Sequence, residues 1–205
     1  MKRSFINISI IILFVSIHLW GQSKAKVYYN SGNTKYNIAD YAGAILDYDK
    51  AIENDPRFLN AYINRGLSKI ELKNYTGAIQ DYDKAIDIDS NHVVTYTIRG
   101  IAKDSLLNHR GAIQDYNKAI TIKPNDAWSY YNRGNAKYKL ADYQGAIHDY
   151  TKAIDFAPKY MQAYYRRGLA KQKNNDMEGA CLDWRKASEF GDNTSRALIK
   201  KNCGR

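Results

Sequence analysis

Two series of glycines recur along this chain at a constant interval of 34 residues. The first series is Gly32, Gly66, Gly100, Gly134 and Gly168. The second series is Gly43, Gly77, Gly111, Gly145 and Gly179. All three prolines fall at one position of the same period: Pro56, Pro124 and Pro158. A fixed period of this length is the signature of a repeat architecture, in which one short structural unit is stacked on copies of itself.

The residues within one repeat follow the period of a helix. With repeat position 1 set at Ala25, apolar and aromatic residues recur at intervals of three and four, over positions 4–12 and again over positions 17–28. Small residues at positions 8, 20 and 27 allow two helices to approach closely, and aromatic residues at positions 4 and 24 fill the space beside them. Proline at position 32 disfavours helix in the residue before it, so the second helix is expected to end there. A short polar stretch such as Ala39-Asp40 supplies the turn between the two helices.

This arrangement of small, aromatic and proline positions resembles the tetratricopeptide repeat, and it runs over residues 25–192 without an insertion. The resemblance implies an all-α fold, a right-handed superhelical solenoid of five antiparallel helix pairs. Two positions depart from the family pattern, because position 11 is lysine in every copy and His109 and Met177 replace tyrosine at position 17. The predicted organisation is a signal peptide at 1–21, repeats at 25–58, 59–92, 93–126, 127–160 and 161–192, and a C-terminal capping helix at 193–205.

Two columns of opposite charge run through the repeats. Position 7 is arginine in the last four copies: Arg65, Arg99, Arg133 and Arg167. Position 23 is aspartate in all five: Asp47, Asp81, Asp115, Asp149 and Asp183. Because these positions lie on neighbouring antiparallel helices, we predict repeating Arg–Asp pairs, joined by the lysines of position 11; a guanidinium binds a carboxylate through two hydrogen bonds. The alternative is a stripe of arginines that binds a ligand.

The two cysteines of the chain, Cys181 and Cys203, are equidistant in sequence from Asp192, near the predicted turn before the capping helix. Such residues lie side by side on antiparallel helices, and disulfides persist in oxidising compartments. We therefore predict a disulfide that clamps the cap to the last repeat, with two free thiols as the alternative. The cap is expected to turn an apolar face to the fifth repeat and a basic face to solvent: Ala197, Leu198 and Ile199 against Lys200 and Lys201.

The N-terminus has the order of elements typical of a secretion signal. A basic start at residues 1–3 precedes an apolar stretch at 5–19, and the small residue Gly21 offers a cleavage site. The apolar stretch is short for a membrane span. The sequence predicts an exported chain, periplasmic or secreted, with an N-terminal membrane anchor as the alternative.

Neither catalysis, a metal nor a cofactor is expected from the residue pattern. The histidines at 92, 109 and 148 occupy three different repeat positions, and the carboxylates recur in columns rather than as an isolated acid–base pair. No cysteine or histidine has metal-ligand spacing.

The formal net charge is +10, or +8 without Lys2 and Arg3, which favours anionic partners. No nucleic-acid-binding motif accompanies the charge, so no nucleic-acid partner is expected.

The family resemblance implies that positions 2, 5, 6, 9, 12 and 13 line a concave groove. Asparagine amides bind the backbone of an extended peptide, and tyrosine offers rigid amphipathic contact. The predicted partner-binding residues are Tyr29, Asn33, Tyr36, Asn64, Trp128, Tyr131, Asn132, Asn135, Tyr138, Lys139, Tyr165 and Arg166. The same positions also place in the groove wall Ile63, Leu67, Thr97, Ile98 and Ile101.

The leading hypothesis for function is a non-catalytic scaffold or adaptor that binds a protein or peptide in this groove. One subfamily clamps acidic C-terminal peptides, but Tyr29, Val94 and Ile98 stand where its pattern needs other residues. Two other functions stay open. The alternatives are a structural subunit of a membrane-associated envelope assembly, and a polyanion or glycan binder drawn by charge and aromatic residues.

Overall fold

The computed structural model describes residues 22–204, so the predicted signal peptide at 1–21 lies outside the described residues. Eleven helices and no strand occur in the described range. The first four are α1 (22–37), α2 (Tyr41–Asn54), α3 (Leu59–Glu71) and α4 (Tyr75–Ile88). The next four are α5 (Val93–Ser105), α6 (His109–Ile122), α7 (Ala127–Lys139) and α8 (Tyr143–Phe156). The last three are α9 (Met161–Lys173), α10 (Met177–Glu189) and α11 (Asn193–Asn202).

The chain divides into two compact units, one ending at Ser90 and one beginning at Asn91. In the first unit, α3 packs on α2 and on α4. In the second unit, each helix from α5 to α10 packs on the helix that follows it. In addition, α7 contacts both α5 and α9. The predicted all-α fold of antiparallel helix pairs is confirmed. Among residues 22–204, no helix is both long and apolar enough to span a membrane.

In every repeat, the turn after the first helix contains a residue that is not glycine but has the left-handed backbone conformation. The backbone φ angle is between 60° and 62° at repeat position 15: Ala39, Lys73, Leu107, Ala141 and Asn175. In the first repeat, the N–H of Asp40 donates to the carbonyl of Lys35 at 2.9 Å and that of Ala39 to Tyr36 at 2.9 Å. This pair of bonds is the Schellman motif, which satisfies the last carbonyls of the helix. It reverses the chain within three residues and so brings the second helix back against the first.

The residue after this turn caps the second helix. Asp40 is the N-cap of α2, and its carboxylate accepts a hydrogen bond from the N–H of Gly43 at 2.9 Å. A Cβ on Gly43 would lie 2.1 Å from the Asp40 carboxylate, so the second glycine series leaves room for the cap. The glycines of the first series, which includes Gly66, are needed for a different reason. A Cβ on Gly66 would lie 2.5 Å from Cε1 of Tyr82. That glycine lets the buried aromatic ring of the second helix pack against the backbone of the first.

Helix α11 covers the end of the second unit. Leu198 and Ile199 pack against a buried cluster that contains Trp184, as predicted for the capping helix. The prediction for Ala197 was wrong, because its side chain is exposed. Asp192 caps the helix by accepting from the N–H of Ser195 at 2.9 Å, and Ser195 is fully buried. Ser195 thus sets the buried face, and residues three and four places later share it.

Candidate partner-binding groove

The predicted Arg–Asp pairs are confirmed, and each forms a buried ionic triad with a lysine. Arg133 donates to Asp149 from Nε at 2.9 Å and from Nη2 at 2.7 Å, while Lys137 Nζ lies 2.8 Å from the same carboxylate. Equivalent triads centre on Asp81, Asp115 and Asp183. In the first repeat Ser31 stands at position 7, and its hydroxyl donates to Asp47 at 2.6 Å.

The remaining guanidinium nitrogen ties consecutive repeats together within each unit. Arg65 Nη1 reaches Asp49 of the preceding repeat at 2.6 Å. In the second unit, Arg133 Nη1 donates to Asn117 at 2.7 Å and Arg167 Nη1 to Thr151 at 3.0 Å. These arginines are therefore engaged in holding helices together, which argues against the alternative of an arginine stripe for ligands.

The first unit has an open site of about 350 Å³ on the wall formed by α1 and α3. It is lined by Asn33, Tyr36, Asn37, Asn64 and Leu67. Three of these were predicted partner-binding residues, Leu67 was placed in the groove wall, and Asn37 was missed. Asn37 stands at position 13, one of the positions that the family resemblance assigns to the groove, and this was the signal that could have found it.

Hydrogen bonds fix the orientation of the two amides in this site. Asn33 Oδ1 accepts from Tyr48 Oη at 2.8 Å and from Asn64 Nδ2 at 2.8 Å. Asn64 Nδ2 also donates to Tyr29 Oη at 3.0 Å. Burial raises the pKa of Tyr48 to about 12. Its hydroxyl donates in this contact, because the amide oxygen of Asn33 can only accept. The groups left for a ligand are the Asn33 amide nitrogen, a donor, and the Asn64 amide oxygen, an acceptor.

The second unit has a smaller site of about 130 Å³ to which α5, α7 and α9 contribute. It is lined by Asp104, Asn135, Tyr138, Lys139 and Arg166. Asn135 Oδ1 accepts from Tyr150 Oη at 2.8 Å, which leaves its amide nitrogen for a ligand. Burial also raises the pKa of Tyr150, and its hydroxyl is the donor because the Asn135 oxygen can only accept. Asp104 was not among the predicted groove residues, although it stands at the same repeat position as Tyr36 and Tyr138.

The charges of the second site are partly paired. Lys139 Nζ lies 2.6 Å from Asp104 Oδ2, and His109 Nδ1 lies 2.5 Å from Asp104 Oδ1. In the described part of the chain, no carboxylate lies within salt-bridge distance of Arg166, whose guanidinium sits 5.9 Å from the ring centre of Tyr165. The site therefore offers one guanidinium that is not neutralised by a carboxylate.

The other predicted groove residues differ in what they can offer. Trp128 is 38% exposed, and its carbonyl accepts from the Asn132 amide at 2.8 Å within α7. Tyr131 packs against Tyr160 with ring centres 4.9 Å apart, and Tyr165 packs against the buried cluster beneath α11. Three more residues were predicted to face the groove, and this prediction was wrong. They are at most 7% exposed: Ile63, Thr97 and Ile98.

We predict different effects on stability for phenylalanine substitution of two tyrosines at the same repeat position. Tyr150→Phe should lower the free energy of unfolding by about 1 kcal/mol, because it removes the hydrogen bond to Asn135. Tyr82→Phe should leave the free energy of unfolding unchanged or raise it, because Tyr82 Oη is buried without a hydrogen-bond partner among residues 22–204. Urea denaturation followed by circular dichroism measures both. Equal losses in the two variants would contradict this account.

Models of the tetratricopeptide repeat match residues 25–58, 59–92 and 127–160, and a model described as a TPR repeat matches residues 108–141. No curated protein sequence matches the chain. Solved structures with the same fold include MamA from Desulfovibrio magneticus RS-1, with a TM-score of 0.75, 20% identity, and coverage of 82% of this chain and 94% of that one.

Two further structures share the fold. PilF of Pseudomonas aeruginosa has a TM-score of 0.77 and 16% identity, over 87% of this chain and 82% of that one. YrrB, described as a TPR protein with an unusual peptide-binding site, has a TM-score of 0.69 and 20% identity, over 85% of this chain and 90% of that one. The repeat matches together span more than half of the 205 residues. With its helix pairs and buried triads, the chain belongs to the tetratricopeptide repeat family.

Proposed function

We propose that the protein is a non-catalytic scaffold that binds an extended segment of a partner protein in its groove. The observation that carries the proposal is the pair of oriented amides in the first unit. The Asn33 nitrogen and the Asn64 oxygen are a donor and an acceptor on two residues that line an open site, and they complement a peptide's carbonyl and N–H. Because the orienting bonds come from the protein itself, little side-chain entropy is lost when a peptide binds.

The description of YrrB as having a peptide-binding site is consistent with this proposal. The two other functions left open by the sequence have weaker support. A polyanion binder needs unpaired cations, whereas the arginines of position 7 are held by carboxylates. A structural subunit would make its main contacts through other surfaces, and the experiment below separates it from a groove binder.

We further propose that the chain is exported and that Cys181 and Cys203 form a disulfide in that compartment. The N-terminal sequence supports export. The Cα atoms of the two cysteines are 5.6 Å apart, a separation that suits a disulfide.

Site-specific photocrosslinking tests the groove. A benzophenone amino acid replaces Tyr138, which lines the groove of the second unit, or His148, which is exposed on α8. Each full-length variant is produced and irradiated in cells of the organism that naturally makes the protein, and the crosslinked proteins are identified by mass spectrometry. We expect one dominant partner at position 138 and none at position 148.

A second variant, Asn135→Leu, should abolish that crosslink while the helical circular dichroism spectrum is unchanged. Leucine is the matched choice because the chain itself has Leu67 and Leu169 at this repeat position. Crosslinks at 148 that equal those at 138 would favour a structural subunit. Loss of the crosslink in high salt, with no effect of Asn135→Leu, would favour a polyanion binder.

A further inference from the structure

The groove residues of the first and fourth repeats form the same cluster twice. Tyrosine stands at positions 5, 12, 17 and 24 and asparagine at position 9 in both repeats, 102 residues apart. The first cluster comprises Tyr29, Asn33, Tyr36, Tyr41 and Tyr48. The second comprises Tyr131, Asn135, Tyr138, Tyr143 and Tyr150. One cluster lies in each compact unit.

The two clusters also have the same geometry at their asparagines and central tyrosines. The tyrosine hydroxyl of position 24 donates to the asparagine oxygen of position 9 at 2.8 Å in both. The rings of Tyr29 and Tyr48 have centres 5.9 Å apart, as do those of Tyr131 and Tyr150.

The outer rings agree as closely. An aromatic residue before the next repeat packs on the position-5 ring, at 4.8 Å for Phe58 and 4.9 Å for Tyr160. The edge-on pair of positions 12 and 17 has ring centres 5.3 Å apart in the first cluster and 5.4 Å in the second.

The fold does not require this cluster. Position 9 is aliphatic in the other three repeats: Leu67, Ile101 and Leu169. Position 12 is different in each of them, with Ile70, Asp104 and Gln172. These repeats form the same helix pairs and the same buried triads without the asparagine. The cluster is therefore a feature added twice to a common scaffold, and both copies open onto the sites already described.

We infer that the chain has two binding subsites built on the same cluster, one in each unit, and that each takes one extended peptide segment through its position-9 amide and its tyrosines. This inference rests on the proposed function and adds a stoichiometry of two peptide segments per chain. A partner would supply them as a repeated motif or as two copies of itself.

The residues beside the two clusters differ in charge, which gives the subsites different preferences. Asn37 and Asn64 flank the first subsite, and the equivalent residues at the second are Lys139 and Arg166. Lys139 is paired with Asp104, but Arg166 has no carboxylate partner among the described residues. A guanidinium binds a carboxylate through two hydrogen bonds. The second subsite should therefore prefer a segment that carries an acidic side chain, whereas the first should be indifferent to charge.

Peptides selected from a displayed library of random linear dodecamers on the full chain provide the probe. Titration calorimetry then measures how many copies of a selected peptide bind to the wild type, to Asn33→Leu, to Asn135→Leu and to the double variant. We expect two sites in the wild type and one in each single variant. The affinity of the altered subsite should fall by about tenfold or more, because its ligand loses a hydrogen bond from an oriented amide. Gln114→Ala, at an exposed residue of α6 outside both clusters and outside the groove positions, is the control and should keep two sites.

The outcomes separate the inference from the proposed function. If no peptide is enriched, the proposed function fails. If peptides bind one per chain and Asn135→Leu or Asn33→Leu alone abolishes binding, the proposed function stands and the inference of two subsites fails. With acidic peptides, the subsite remaining in Asn33→Leu should weaken with added salt more steeply than the one remaining in Asn135→Leu. Equal salt dependence would overturn the assignment of the acidic preference to the second subsite.

Discussion

Asp149→Ala should lower the free energy of unfolding by about 3 kcal/mol or more, because it leaves two cations of a buried triad without their shared carboxylate. The Asp149 side chain is 0% exposed, and those of Arg133 and Lys137 are 16% and 21% exposed. Removing one partner of a buried ion pair costs more than the pair contributes, since the remaining charges stay poorly hydrated. Denaturant titration followed by circular dichroism gives the change.

The same helix provides a matched control for this prediction. Asp155 lies 3.8 Å from Lys152 on the surface of α8, with side chains 52% and 42% exposed. Exposed pairs of this kind contribute little, so Asp155→Ala should change the free energy of unfolding by less than about 0.5 kcal/mol. A loss in Asp149→Ala no greater than that in Asp155→Ala would show that the triads do not stabilise the fold.

Reduction of the proposed Cys181–Cys203 disulfide should lower the free energy of unfolding by roughly 3 kcal/mol, as estimated from the entropy of closing a loop with a sequence separation of 22. The bond joins α10 to the end of α11, the helix that covers Trp184. Its loss should therefore loosen the end of the second unit before the rest of that unit unfolds. Denaturation with and without a reductant measures the effect.

The state of the two cysteines in the cell is tested by alkylation. Chain trapped with iodoacetamide before lysis should carry no adduct, and it should gain two adducts when it is reduced first. The double variant Cys181→Ser and Cys203→Ser is the control, because a reductant should leave its denaturation curve unchanged. Two adducts without prior reduction would refute both the bond and the oxidising compartment that it requires.

The repeat period, the helix pairs and the charge columns were all predictable from the sequence. They depend on residues that recur at fixed spacing, and spacing along a helix fixes which side chains share a face. The Arg–Asp pairing followed because positions 7 and 23 keep their register in every copy in which both residues occur. The proximity of Cys181 and Cys203 followed in the same way, from their equal distances to the predicted turn.

The left-handed backbone conformation within the turns and the burial of some groove positions were not predictable, because they depend on particular three-dimensional contacts. Leu107 and Ala141 adopt a left-handed conformation that their side chains disfavour, since the Schellman bonds and the packing of two helices hold them there. Thr97 was expected to face the groove but is buried, where its hydroxyl lies 2.8 Å from that of Ser129 on α7.

The sequence by itself determined the repeat architecture and the residues available to line a groove, because both are properties of periodic residue types. Only the tertiary structure decided which of those residues are accessible and which way their amides point. Asn33 and Leu67 occupy the same repeat position. Of the two side chains, only the asparagine can accept a hydrogen bond from the buried Tyr48 hydroxyl and keep an N–H donor for a ligand. That orientation arises from hydrogen bonds between helices, which one-dimensional periodicity does not contain.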